Sequence, residues 1–125
     1  MLINLTNHPS ANWSEEQMKI ALKRYGRVKD IPFPAVLPQA NSNEVKVLAN
    51  EYFKQVMKIA GQEQNKDEKF AVHIQGEFTF VYALVNMLRA ENITCIASTS
   101  ERRAVEKPDG TKVSVFRFVR FREYL

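Results

Sequence analysis

The chain has 125 residues, 45% hydrophobic and 26% charged, with a formal net charge of +4. That size and balance suit one globular domain with its own core, spanning 1–125, and exclude wholesale disorder. No apolar run approaches the ~18 residues of a membrane span, and the opening Met1-Leu2-Ile3-Asn4-Leu5 lacks the basic region and cleavage site of a signal peptide, so a soluble cytoplasmic protein is expected.

In chain order, Leu2 to Leu5 reads as a short apolar strand that runs into the polar turn Thr6-Asn7-His8-Pro9-Ser10. Ser14 caps a helix with Gln17 as its capping-box partner; Met18, Ala21, Leu22 and Tyr25 form its apolar stripe, and Gly26 ends it. Arg27 to Ile31 is a second strand, which Pro32, Pro34 and Pro38 prevent from running further. Asn41 to Glu44 starts a helix carrying Val45, Leu48, Tyr52, Val56 and Ile59, closed by Gly61. Gln62 to Lys69 is polar and reads as a surface loop.

Phe70 to Ile74 is a buried strand that stops at Gln75-Gly76-Glu77. Thr79 then caps a helix bearing Val81, Leu84, Val85 and Leu88, which Asn92 ends before the strand Ile93 to Ala97. Strand, helix and strand over this length predict a βαβ unit with a parallel pair. Pro108-Asp109-Gly110-Thr111 is a turn between Ala104–Lys107 and the apolar-basic strand Lys112–Phe121, an antiparallel hairpin occupying 104–124. The expected fold is α/β, Rossmann-like, a mostly parallel sheet flanked by helices with a C-terminal antiparallel hairpin.

Charge is unevenly placed. Residues 1–100 hold eleven Lys/Arg against ten Asp/Glu, whereas residues 101–125 hold seven against four. A basic tail suits an anionic partner, and it equally keeps an exposed strand edge soluble. Cys95 is the lone cysteine, so there is no internal disulfide, and with two distant histidines no metal-ligand spacing arises. No GxGxxG, P-loop or GxSxG pattern is present, nor a close carboxylate pair, which disfavours ordinary dinucleotide, triphosphate, serine-hydrolase and glycosidase chemistry. Neither metal nor cofactor is expected.

Ligands of open α/β sheets bind beyond the carboxyl ends of the strands. Three loops are expected there: Asn7-His8-Pro9-Ser10, Gln75-Gly76-Glu77-Phe78-Thr79, and Ser98-Thr99-Ser100-Glu101-Arg102-Arg103. Their amides, hydroxyls, imidazole and guanidiniums suit a ligand with phosphates and sugar or base edges. Each has a plainer use: His8 as a turn residue, Gly76 for a sharp turn or close approach, Glu77 and Thr79 as helix-terminus groups. His73 reads as a satisfied core residue, and Trp13 and Tyr25 either pack the first helix or stack a base.

The opening strand with Thr6-Asn7-His8-Pro9-Ser10 and its helix resembles the start of small stand-alone CRISPR-accessory proteins of the CRISPR-associated Rossmann fold (CARF) type. The strand ending at Gly76, its helix, and the next strand with a Ser/Thr-rich end are similar to the same group. The resemblance covers roughly residues 1–103 and leaves the hairpin outside. It implies a homodimer that holds a cyclic oligoadenylate (tetra- or hexa-adenylate) across its twofold axis, and ring nuclease activity that switches off type III CRISPR signalling in antiviral defence. In that chemistry a ribose 2′-OH attacks the adjacent phosphorus without metal. Carried across, His8 would move a proton and Arg102 or Arg103 would steady the phosphate. Gly76 and the Glu77 amide would cradle a phosphate, and Thr99 and Ser100 would contact ribose or adenine. Asn7, Ser10, Gln75, Thr79 and Glu101 complete the expected ligand-binding set. Two alternatives stay open: a non-catalytic module that senses or sequesters such a nucleotide, and an interaction domain whose basic hairpin meets nucleic acid or protein.

Overall fold

The computed structural model describes residues 1–63 and 69–125. The expected loop from Gln62 to Lys69 therefore lies mostly outside the described residues. Among the described residues five strands and three helices follow in the order β1 (Leu2–Thr6), α1 (Glu15–Tyr25), β2 (Val28–Asp30), α2 (Ser42–Gln62), β3 (Ala71–Gln75), α3 (Phe78–Ala90), β4 (Thr94–Glu106) and β5 (Lys112–Glu123). A short 3₁₀ turn at Ser10–Asn12 precedes α1. The sheet order is β2-β1-β3-β4-β5. β1 to β4 pair in parallel and β5 runs antiparallel to β4. The expected fold class is the one observed.

Side-chain alternation divides the sheet into two unequal faces. Ile3, Leu5, Val72 and Ile74 pack against α2 and α3, where Ala49, Val56, Phe80, Leu84 and Leu88 are fully buried. Burying each large apolar side chain contributes roughly 1.5–3 kcal/mol. The opposite face meets α1 and β5, through Leu2, Ala21, Tyr25, Ala71, Ile96, Phe118 and Phe121.

Local chemistry sets the helix ends. Ser14 accepts from the Gln17 amide, and Gly26 closes α1 with a φ of 82°. Asn41 and Glu44 form a reciprocal capping box at α2, which continues one residue past Gly61. At α3 the cap is Glu77, not Thr79: its carboxylate accepts from the Thr79 and Phe80 amides and from the Thr79 hydroxyl. Those hydrogen bonds, Phe80 foremost and Thr79 next, hold its carboxyl below the usual range. Asn92 takes φ of 60° beyond the end of α3.

The main departure from expectation is β4. It does not stop at Ala97 but runs on to Glu106, because β5 pairs with it over eleven register positions from Ile96↔Glu123 to Glu106↔Lys112. The segment Ser98–Arg103 is therefore strand, not loop. Beyond the sheet the two strands continue as a free-standing ribbon. Between Thr99↔Arg120 and Ser100↔Phe118 the register slips and leaves Val119 unopposed, a bulge. Ser98 and Ser100 share one face, so their partners Phe121 and Phe118 do as well, although they are three residues apart.

Gly76 owes its identity to close approach. A Cβ there would overlap the ring of Phe33, which lies in the proline segment and packs edge-on against Phe80. Gly76→Ala should destabilise the protein by about 1–3 kcal/mol through overpacking. In a Phe33→Ala background the same change should cost much less, as a double-mutant cycle in urea would record.

Candidate functional site

β1 leads to β2 on one side, whereas β3 leads to β4 on the other, so the strand order reverses between β1 and β3. Open α/β sheets form their ligand crevice at the carboxyl ends of such a strand pair. Here that rim carries a row of polar side chains on the face covered by α1. Asn4 and Thr6 end β1, His73 and Gln75 end β3, and Ser98 follows on β4; Asn4, Thr6 and His73 are buried.

Hydrogen bonds join the row across four strands. Ser10 donates to the Asp30 carboxylate from its hydroxyl (2.7 Å) and its amide (3.1 Å). Asn4 Nδ2 donates to Asp30 Oδ1 at 2.7 Å and to the His8 carbonyl at 2.9 Å. Asn4 Oδ1 lies 2.9 Å from His73 Nδ1, and His73 Nε2 lies 2.9 Å from Gln75 Oε1. Gln75 in turn accepts from the Ser98 hydroxyl (2.6 Å) and amide (3.1 Å) and donates to the Ser98 carbonyl (3.1 Å). Partial burial works against the Asp30 charge, but the bonds from Ser10 and Asn4 prevail and hold its carboxyl below the usual range.

Above this row opens a cavity of about 620 Å³, within the range of small-molecule sites. The β1–α1 segment supplies Asn7, His8, Asn12 and Trp13, and the first turn of α1 and its cap supply Gln17 and Ser14. The strand ends supply His73, Gln75, Gly76 and Ser98 to Ser100, and β5 supplies Phe116 and Phe118. Trp13 is fixed by its indole N–H, which donates to the His8 carbonyl at 3.1 Å, and it meets His73 edge-on at 5.4 Å. The surface thus joins amide and hydroxyl groups to aromatic planes, and among the described residues no lysine, arginine, aspartate or glutamate lines it.

Six expected site residues converge here: Asn7, His8, Gln75, Gly76, Thr99 and Ser100. Six do not line the cavity. Ser10 clamps Asp30, while Glu77 and Thr79 are occupied at the start of α3. Glu101 and Arg103 pair with each other on the ribbon at 3.1 Å. Arg102 donates from Nε to Ser114 Oγ at 3.0 Å. The continuation of β4 carries these three past the rim. Arg102 nevertheless stands two residues beyond Ser100, on the same side of the strand.

Asn4, Asn12, Ser14, Gln17, Phe116 and Phe118 were not expected in the site. The signal for Asn4 and His73 was legible: Asn4/Thr6 and His73/Gln75 repeat a polar pair at spacing two on adjacent, otherwise apolar strands. Cys95 offers no reactive thiolate, since burial pushes its thiol up to about 12.

The model of the uncharacterized protein MJ1673 family matches residues 1–122. The chain belongs to that family. Comparison with curated proteins and with solved structures finds no match. The MJ1673 family match takes in every cavity residue and nearly all of the ribbon. Among the described residues no helix is long and apolar enough to cross a membrane.

Burial pushes the His73 imidazole down to about 4, with the Gln75 bond opposing and His8 assisting. The unfolded chain binds a proton near 6.5 that the native ring refuses, so stability is full above that pH and declines toward pH 4. The expected loss by pH 4 is about 3 kcal/mol. Urea unfolding across this window checks it, and His73→Gln should remove that share of the slope.

Proposed function

We propose that this chain binds a cyclic oligoadenylate as a cytoplasmic homodimer and opens it by metal-independent phosphodiester cleavage. The observation that supports this reading is the convergence of His8, the Gly76 turn and Ser98–Ser100 on one aromatic-walled cavity at the sheet's switch point. Adenine would stack on Trp13 or Phe116, whose side chains line the cavity. Ribose hydroxyls would meet the amide of Gln17 and the hydroxyls of Thr99 and Ser100. A ring of four or six nucleotides exceeds one such cavity, so two copies would share it across a twofold axis.

The reaction asks for little beyond positioning. A ribose 2′-oxygen attacks the adjacent phosphorus, the bond from phosphorus to the 5′-oxygen breaks, and a 2′,3′-cyclic phosphate forms. The 2′-hydroxyl proton leaves and the 5′-oxygen gains one; His8, an imidazole that lines the cavity, would exchange them. Arg102 would turn from Ser114 to steady the phosphate charge.

Trp13 is the single tryptophan of the chain, so its fluorescence reports occupancy directly. Cyclic tetra- or hexa-adenylate should quench it, and incubation in EDTA should yield linear product. His8→Ala should slow cleavage by roughly 10²–10⁴-fold while binding persists. No quenching and no linear product would remove the proposal. Tight binding with the ring left intact would make the chain a sensor or sequestering module instead.

A second reading rests on the ribbon, where Arg117, Arg120 and Arg122 are exposed. If it contacts nucleic acid, binding should weaken steeply with salt and fail when these three are reversed to glutamate, with cavity variants unaffected.

A further inference from the structure

His73 is 2% exposed and sits at the floor of the cavity. Both of its ring nitrogens face oxygen atoms, Asn4 Oδ1 and Gln75 Oε1, each at 2.9 Å. Neither amide can be turned to present nitrogen. Asn4 is held by its Nδ2 bonds to Asp30 Oδ1 and the His8 carbonyl. Gln75 is held at both ends by the backbone of Ser98, whose amide meets Oε1 and whose carbonyl meets Nε2. A neutral imidazole carries one N–H and satisfies one of these acceptors; an imidazolium satisfies both. The ring also makes T-shaped contacts with Trp13 at 5.4 Å and Phe121 at 5.5 Å, which fix its orientation.

We propose that an anionic ligand group enters this cavity together with a proton, which His73 takes up to become an imidazolium. The proposal deepens the nucleotide reading, on which it rests for its choice of ligand. Burial keeps the ring uncharged at neutral pH, where one ring nitrogen meets an oxygen lone pair to lone pair. A negative charge in the cavity raises the ring's proton affinity, and the second acceptor is already in place. The proton comes from solvent and returns there when the ligand leaves.

The surrounding groups fit this role. His8 from the β1–α1 segment opposes the charge, and Asp30 at the end of β2 stands one amide away through Asn4. The remaining neighbours, Trp13 before α1, Gln75 on β3 and Phe121 on β5, do not titrate.

Calorimetry with cyclic tetra-adenylate and with inorganic pyrophosphate between about pH 5 and about pH 8 tests the proposal. Binding of the cyclic nucleotide, whose phosphodiesters do not titrate in this window, should weaken up to about tenfold per pH unit and take up one proton, read from heats in buffers of different ionisation enthalpy. Ring ¹⁵N spectra should show His73 with one protonated nitrogen in the free protein and two in the complex. His73→Gln should flatten the pH dependence, whereas His8→Asn should keep it. An affinity independent of pH, or a ring still neutral in the complex, overturns the proposal while leaving the nucleotide reading intact. Two protonated His73 ring nitrogens in a pyrophosphate complex, with no binding of the cyclic nucleotide, support it and remove the oligoadenylate reading. If neither probe binds, both fall. Should His73→Gln not fold, the ring spectra of the unaltered protein decide the matter.

Discussion

A polar row crossing the sheet from Asp30 through Asn4, His73 and Gln75 to Ser98 sets the terms for the rest of the molecule. Buried polar groups are tolerable only when paired, and here each strand supplies part of its neighbour's partner. The strands must therefore keep register: Asn4 stands opposite His73, and a slip of one residue would turn both polar pairs into the apolar core against α2 and α3. One face of the sheet is an ordinary hydrophobic core. The other becomes polar toward the carboxyl ends of its strands, and there the cavity opens.

The ribbon and the cavity are one construction. Because β4 outruns the parallel sheet, its far half has only β5 as a partner, and the two strands stand clear of the body. The bulge at Val119 turns Phe118 and Phe121 to one side. Phe121 then packs on His73, while Phe118 and the 69%-exposed Phe116 form a cavity wall. Tyr124 secures the end of β5 by donating its hydroxyl to the Ile74 carbonyl at 2.7 Å. Strand extension thus provides an aromatic wall and also carries Arg102 and Arg103 outward from the rim.

Function follows from what the cavity offers: hydrogen-bonding amides and hydroxyls, flat aromatic surface and two imidazoles, with the arginines at a distance. Under the proposed reading, these groups suit a base and a sugar better than a bare phosphate. Gly76, read from sequence as a place of sharp turn or close approach, admits the Phe33 ring, and the Thr79 and Phe80 amides in the first turn of α3 are held by Glu77. Any anion selectivity then falls to the histidines.

The alternation of apolar strands with helical stripes, the caps at Ser14 and Asn41 and the proline segment were legible in the chain, because each depends on residues within a turn or two of one another. That is why the element order, the parallel βαβ unit and the Asn7–His8 rim followed from sequence. The length of β4, the bulge at Val119 and the exile of Arg102 and Arg103 did not, since they come from pairing with a strand that lies beyond the hairpin turn. His73 shows the same division. Its place in a buried strand was readable, but the two acceptors that flank it come from Asn4, distant in sequence, and from a Gln75 oriented by Ser98, so only tertiary structure could decide its chemistry.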